Sequence, residues 1–202
     1  MGERAVEDGG LLFGSLRSIR NSVTLGEGGM RKFGVYCGRF NPMHAGHGAV
    51  IKEMIRQFGI ENCLLIIGSS NAGFSLRHFF SYQERRGFIK KAFPEMKVVG
   101  LPDYPADDEW LVALDDIISL AGFNPAEVVF FGGCEEDILF FFEAGRNCQI
   151  LNRFDGTTPK ISATEVRDCL IYGRCLDGMI ESAIAEEVQN LFRQKWERFK
   201  KI

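Results

Sequence analysis

Phe33-Gly34-Val35-Tyr36-Cys37, followed by Gly38-Arg39-Phe40-Asn41-Pro42-Met43-His44-Ala45-Gly46-His47, joins an apolar strand to a glycine-bounded turn and then to a helix opening at about Gly46. Strand, turn and helix in this order form the unit from which parallel sheets are built. Glycines permit close backbone approach, and a helix N-terminus presents N–H groups and partial positive charge to an anion. Arg39, His44 and His47 carry side chains that donate hydrogen bonds to phosphate oxygens. A single histidine here reads as an ordinary cap or core residue, and two histidines three apart with no third ligand nearby are weak evidence for zinc. A glycine turn, an arginine, a proline and two histidines within ten residues point instead to a grip on an anion.

Outward from this stretch, short apolar runs alternate with longer amphipathic ones, the pattern of βα units. The pattern predicts strands at Phe33–Cys37, Cys63–Ile67, Lys97–Leu101, Val128–Phe131 and Cys148–Leu151. Helices are expected at 46–58, 81–93, 108–121 and 134–145. Ser81-Tyr82-Gln83-Glu84 and Ser162-Ala163-Thr164-Glu165 are capping boxes, and Pro94 ends the helix before it. After Asp177 the spacing of Ile180, Ile184, Val188, Leu191 and Phe192 predicts one long helix to the C-terminus. The expected fold is α/β and Rossmann-like: a five-stranded parallel sheet flanked by helices over 31–202, with a C-terminal helical segment at 176–202. Its ligands belong at the carboxyl ends of the strands, near the point where strand order reverses. Residues 1–30 hold seven of the 23 glycines and show no sustained apolar period, so they read as a flexible N-terminal extension.

Composition narrows the function. The 202 residues are 46% hydrophobic and 25% charged, enough for a full core, and the formal net charge of -3 argues against broad attraction to nucleic acid or a membrane surface. No apolar run is long enough to span a bilayer and no signal-peptide order is present, so a soluble, cytoplasmic protein is expected. Six cysteines without a CxxC pair read as reduced, mostly buried thiols. Ile138-Leu139-Phe140-Phe141-Phe142 reads as core or subunit contact, and the basic residues from Lys195 to Lys201 as a solvated helix end.

A second anion-directed segment is Ile161-Ser162-Ala163-Thr164-Glu165-Val166-Arg167. Ser162 caps a helix, Thr164 lies in its first turn and Arg167 one turn in, so backbone donors, a hydroxyl and a guanidinium converge. Alone, it reads as a capping box with a solvated arginine. Paired with the first segment, it completes a phosphate site.

The two segments resemble the HxGH and ISxTxxR signatures of the nucleotidylyltransferase superfamily, which grip the triphosphate of ATP or CTP. The form of the first is most like that of archaeal-type nicotinamide mononucleotide (NMN) adenylyltransferases. Gly68-Ser69-Ser70-Asn71-Ala72-Gly73-Phe74-Ser75-Leu76-Arg77, then Phe79, Phe80, Ser81 and Glu84-Arg85, resemble that family's turn, basic residue and helix start. Leu101-Pro102-Asp103 with Trp110 resembles its Pro-Asp loop and ring-stacking tryptophan. The resemblance implies ATP binding by Gly38, Arg39, Phe40, His44, Gly46, His47, Gly132, Ser162, Thr164 and Arg167, with Arg39, His44, His47 and Arg167 catalytic. It implies that Ser69, Arg77, Asp103 and Trp110 hold the pyridine mononucleotide, that Mg²⁺ arrives with ATP without a dedicated protein metal site, and that a homo-oligomer is compatible with the family. A core role on a helix face is the alternative for Trp110. The chain departs from the family pattern at Ala163 and at Gly132-Gly133-Cys134-Glu135-Glu136, which implies a different hold on the adenine end, and at Arg174-Cys175-Leu176, where the family often has a tryptophan. The implied reaction joins ATP and NMN to give NAD and pyrophosphate. Transfer to another phosphorylated acceptor, or a catalytically silent nucleotide-binding regulator, stays open at this point.

Overall fold

A computed structural model describes residues 32–151 and 159–201, so the expected extension at 1–30 lies outside the described residues. The chain runs β1 (Phe33–Gly38), α1 (Ala45–Phe58), β2 (Cys63–Ile67), α2 (Tyr82–Ala92), β3 (Lys97–Gly100), α3 (Asp107–Leu120), β4 (Val128–Gly132), α4 (Glu135–Glu143), β5 (Cys148–Ile150), α5 (Ala163–Tyr172) and α6 (Ser182–Phe199). The five strands are parallel in the order β3-β2-β1-β4-β5. The chain leaves β1 in one direction through β2 and β3, then returns to the other side of β1 at β4. The reversal therefore lies between β1 and β4, where an open α/β sheet forms its ligand crevice.

Every residue of β2 and β4 is buried, as a parallel sheet covered on both faces requires. Period-two alternation sends Tyr36, Leu65, Ile67, Val129 and Phe131 into the layer under α1, α2, α5 and α6. Val35, Leu64, Ile66, Val128 and Phe130 enter the other layer with Leu114 and Ile118 of α3 and Phe141 of α4. The two capping boxes form as expected, at Ser81–Glu84 and Ser162–Glu165.

The segment after Asp177 differs from the single helix expected. Gly178 takes φ +72, a left-handed conformation that a right-handed helix excludes, and α6 begins only at Ser182. Ile180, counted into the helical period, lies before the helix and is still buried. The turn it belongs to closes back on α1: the Ala45 amide donates to the Met179 carbonyl at 2.8 Å, and Lys52 pairs with Glu181 at 2.8 Å. Helix α6 then packs on α2 and on the segment before it, with Phe79 of that segment stacked on Phe192 at 4.4 Å and Lys195 on Glu84 of α2 at 2.6 Å. Among the described residues no helix is long and apolar enough to cross a membrane.

Close packing of α1 on β1 depends on Gly34, where a Cβ would meet Met54 Cγ at 2.4 Å and Phe58 at 3.1 Å. Gly34→Ala should overpack this interface and lower unfolding free energy by about 1–3 kcal/mol in urea denaturation, with activity per folded molecule retained.

Candidate active site

The turn after β1 is built around two histidines that cap α1 reciprocally. His44 is the N-cap; its Nδ1 accepts from the His47 amide at 3.3 Å, and His47 Nδ1 accepts from the His44 amide at 3.2 Å. The rings stack with centroids 3.6 Å apart, and His44 is buried. With both Nδ1 atoms accepting, the neutral tautomer carries its proton on Nε2 in each ring. Gly46 makes room for this arrangement, since a Cβ there would lie 3.1 Å from the His44 ring and 3.3 Å from the Pro159 carbonyl. Two α1 amides expected to face an anion are engaged within the protein, Ala45 by Met179 and His47 by the His44 ring. The donors offered to an anion here are therefore principally side chains.

A cavity of about 550 Å³ opens at the carboxyl ends of β1 and β4. It brings together Gly38, Arg39, Phe40, His44, His47, Ser162, Thr164 and Arg167, and Arg77 joins them. Arg167 donates to the Asn41 carbonyl at 2.6 Å and to Thr164 Oγ1 at 3.0 Å, which fixes its guanidinium at the rim. Asn41 is itself buried and clamps Phe80, accepting from its amide at 3.0 Å and donating to its carbonyl at 3.2 Å. Burial, and then Arg77, hold Arg39 below the ordinary guanidinium range; burial, and then Arg39, do the same to Arg167. Three guanidinium groups converging on one cavity repel one another until an anion arrives.

The other expected residues lie around this cavity rather than on its wall. Ser69 Oγ donates to Asp103 Oδ1 at 2.9 Å, and the Asp103 amide donates to Asn71 Oδ1 at 2.9 Å, joining the loops after β2 and β3. Trp110 sits in the first turn of α3, half-buried, edge-on to Phe140 at 5.6 Å and near Phe141 at 6.0 Å. Gly132 ends β4 where a Cβ would meet Ile138 at 2.4 Å, so it makes room for α4.

Several residues escaped the sequence reading. Cys37, Cys134 and Asp137 line the cavity, and Asp137 accepts from the Gly133 amide at 3.0 Å. Burial raises the Cys37 thiol to about 12, and burial followed by Glu136 and Asp137 raises Cys134 to about 12. Both thiols stay protonated and are unsuited to nucleophilic attack. Arg85 is fully buried and donates to the carbonyls of Arg39, Gly68 and Ser69. In the sequence Asn41 stands only within the turn after β1 and Arg85 only within the Glu84-Arg85 pair, and neither carries an assigned role there. The only sequence signal for Arg85 was the Glu84-Arg85 pair in the resemblance.

Among the described residues no group of three or more His, Cys, Asp or Glu side chains could hold a metal ion. Among the described residues Asp137 is the one carboxylate on the cavity wall, beside many donors. This donor set fits a divalent ion carried in by the phosphates of a nucleotide.

Comparison with known proteins agrees with this geometry. Residues 35–121 match the cytidylyltransferase-like family. The nicotinamide-nucleotide adenylyltransferase of Thermococcus onnurineus is 24% identical over 168 residues, which cover 80% of this chain and 84% of that one. Among solved structures, a bifunctional NMN adenylyltransferase/ADP ribose pyrophosphatase from Francisella tularensis superposes with TM-score 0.69 at 18% identity, covering 82% of this chain and 49% of that one. A structure of a bifunctional protein of the same description and organism, complexed with AMP and a manganese ion, gives TM-score 0.58 at 20% identity, over 75% and 44% of the two chains. This chain thus spans about half the length of those two solved chains. The fold is the Rossmann-like nucleotidylyltransferase fold. Within it, the chain is similar to the archaeal nicotinamide-nucleotide adenylyltransferases.

The cluster of Arg39, Arg77 and Arg167 predicts that inorganic tripolyphosphate binds and raises the melting temperature. Arg167→Met should weaken that binding about 10- to 100-fold by calorimetric titration, the loss expected for a charge-assisted hydrogen bond of ~1.5–3 kcal/mol.

Proposed function

We propose that the protein is an adenylyltransferase that joins ATP to NMN. The NMN 5′-phosphate oxygen forms a bond to the α-phosphorus of ATP, the bond from that phosphorus to the β-phosphate bridge breaks, and pyrophosphate leaves as NAD forms. The observation that carries this reading is the convergence of two imidazoles, each accepting a backbone N–H at Nδ1, and three guanidinium groups on one cavity at the carboxyl ends of β1 and β4.

A phosphate monoester is largely dianionic at neutral pH, so the acceptor needs no general base and the enzyme needs no covalent nucleophile. Catalysis is alignment plus neutralisation of charge. Arg39, His44, His47 and Arg167 hold the triphosphate and donate to the oxygens that gain charge as pyrophosphate leaves. Ser162 and Thr164 complete the phosphate grip, with Gly38, Phe40, Gly46 and Gly132 shaping the backbone around ATP. Ser69, Arg77, Asp103 and Trp110 hold the pyridine mononucleotide, Arg77 from the cavity wall and Trp110 by stacking on the cationic ring. Mg²⁺ arriving with the triphosphate would supply further charge neutralisation, carried by the nucleotide's phosphates and not by a dedicated protein site among the described residues. We place the reaction in the cytoplasm.

Pyrophosphate release with Mg-ATP should appear together with NAD when NMN is the acceptor, and CTP should not replace ATP. Pyrophosphate with a different phosphorylated acceptor would move the substrate assignment, and ATP binding without pyrophosphate release from any acceptor would overturn the enzyme reading. His47→Ala should lower kcat about 100-fold with little change in KM for NMN. Trp110→Ala should raise KM for NMN about fivefold to tenfold at nearly constant kcat, from a loss of ~1 kcal/mol of ring contact. Initial-rate kinetics check both, and equal small effects on both parameters in both variants would overturn the assignments.

A further inference from the structure

In-line transfer requires the donor and acceptor phosphates to be held at a fixed separation. The donor side rests on the turn after β1, which carries Arg39, and the acceptor side on the turn after β2, which carries Ser69. One side chain spans the two turns. Arg85 of α2 donates from Nη1 to the Arg39 carbonyl at 2.8 Å and to the Gly68 carbonyl at 2.9 Å, and from Nη2 to the Ser69 carbonyl at 2.9 Å. A longer contact of 3.4 Å runs from Nε to the Ser81 carbonyl at the α2 N-cap.

The carbonyls it holds lie at the two places where, among the described residues, a non-glycine residue adopts positive φ: Phe40, next after Arg39, at +49, and Ser69 at +48. Left-handed backbone at such residues persists only where surrounding structure enforces it. Sharing Nη1 between the Arg39 and Gly68 carbonyls ties the two turns to one rigid plane. An ammonium carries charge but has no planar fork to fix two turns at once. The neighbouring Glu84 does not neutralise Arg85, because its carboxylate is taken by Lys195 at 2.6 Å and by the Ser81 amide at 2.7 Å.

We propose that Arg85 is a positioning residue: it sets the distance between the donor and acceptor turns and holds Phe40 and Ser69 in the left-handed backbone from which Arg39 and the Ser69–Asp103 pair meet their substrates. It acts through backbone carbonyls, and the inference rests on the adenylyl-transfer reading above.

The test uses the full chain, with wild type, Arg85→Lys and Arg85→Ala assayed in parallel for pyrophosphate release, ATP affinity and thermal unfolding. Arg85→Lys should unfold cooperatively, bind ATP within about threefold of wild type and lose about 100-fold in kcat. Arg85→Ala should recover at least about tenfold of its lost activity in millimolar ethylguanidinium, which leaves wild type unchanged. A folded Arg85→Lys with kcat within about threefold of wild type would overturn the proposal, as would losses that track the unfolded fraction with no guanidinium rescue. Should neither variant fold, arginine-¹⁵N-labelled wild type decides: the guanidinium N–H signals of Arg85 should exchange slowly and shift on adding NMN. Unshifted signals at saturating NMN and ATP would overturn the proposal. Wild type that is silent with every acceptor would instead overturn the adenylyl-transfer reading, and the same signals followed during ATP titration then decide Arg85 by themselves.

Discussion

At the carboxyl edge of a parallel sheet the hydrogen-bond ladder stops while the chain continues, and each carbonyl beyond that edge needs a donor. Part of the demand is met by extending the ladder one step. The Gly68 amide donates to Gly38, Leu101 to Ile67 and Leu151 to Gly132, at 2.9–3.0 Å. The carbonyls of Arg39, Gly68 and Ser69 turn inward and converge on Arg85. A buried acceptor without a donor costs about 1–3 kcal/mol, and a buried guanidinium without acceptors costs several more. Each is tolerable only because the other is there, so the site loops and the start of α2 are stable as one unit.

This dependence explains why the site was only partly legible in the sequence. Buried parallel strands are short apolar runs, and each predicted strand falls within one residue of the observed one at either end. The turn after β1 and the Ser162 cap were legible because their chemistry is local, contained within a few residues. Asn41 and Arg85 act across 39 and 46 residues of chain, on Phe80 and on the Arg39 carbonyl, and no local spacing encodes such a contact. The break at Gly178 was hidden for a related reason. Ile180 and Ile184 are both buried, one ahead of α6 and one within it, so the apolar period continues across a segment whose backbone is not helical.

The reciprocal histidine cap also constrains the electrostatics. Each Nδ1 receives a backbone N–H, so a proton added to either Nδ1 would expel an amide that closes the first turn of α1. Helix capping therefore commits both Nδ1 atoms to the α1 backbone. The positive charge comes from Arg39, Arg77 and Arg167, whose like charges are held together by the fold.

That division of labour suits a reaction between two anions. The barrier to bringing a phosphate dianion against a triphosphate is largely repulsion, which fixed guanidinium groups lower before any bond changes. Burial holds the cavity thiols up at about 12, and the phosphate oxygen of the proposed acceptor is charged without a base. Guanidinium repulsion in the free protein is relieved when the polyanion binds, so the cost of assembling the cluster is met in folding and returned as affinity. What remains for the transition state is geometry, and geometry here rests on how rigidly the turns after β1 and β2 are held to one another.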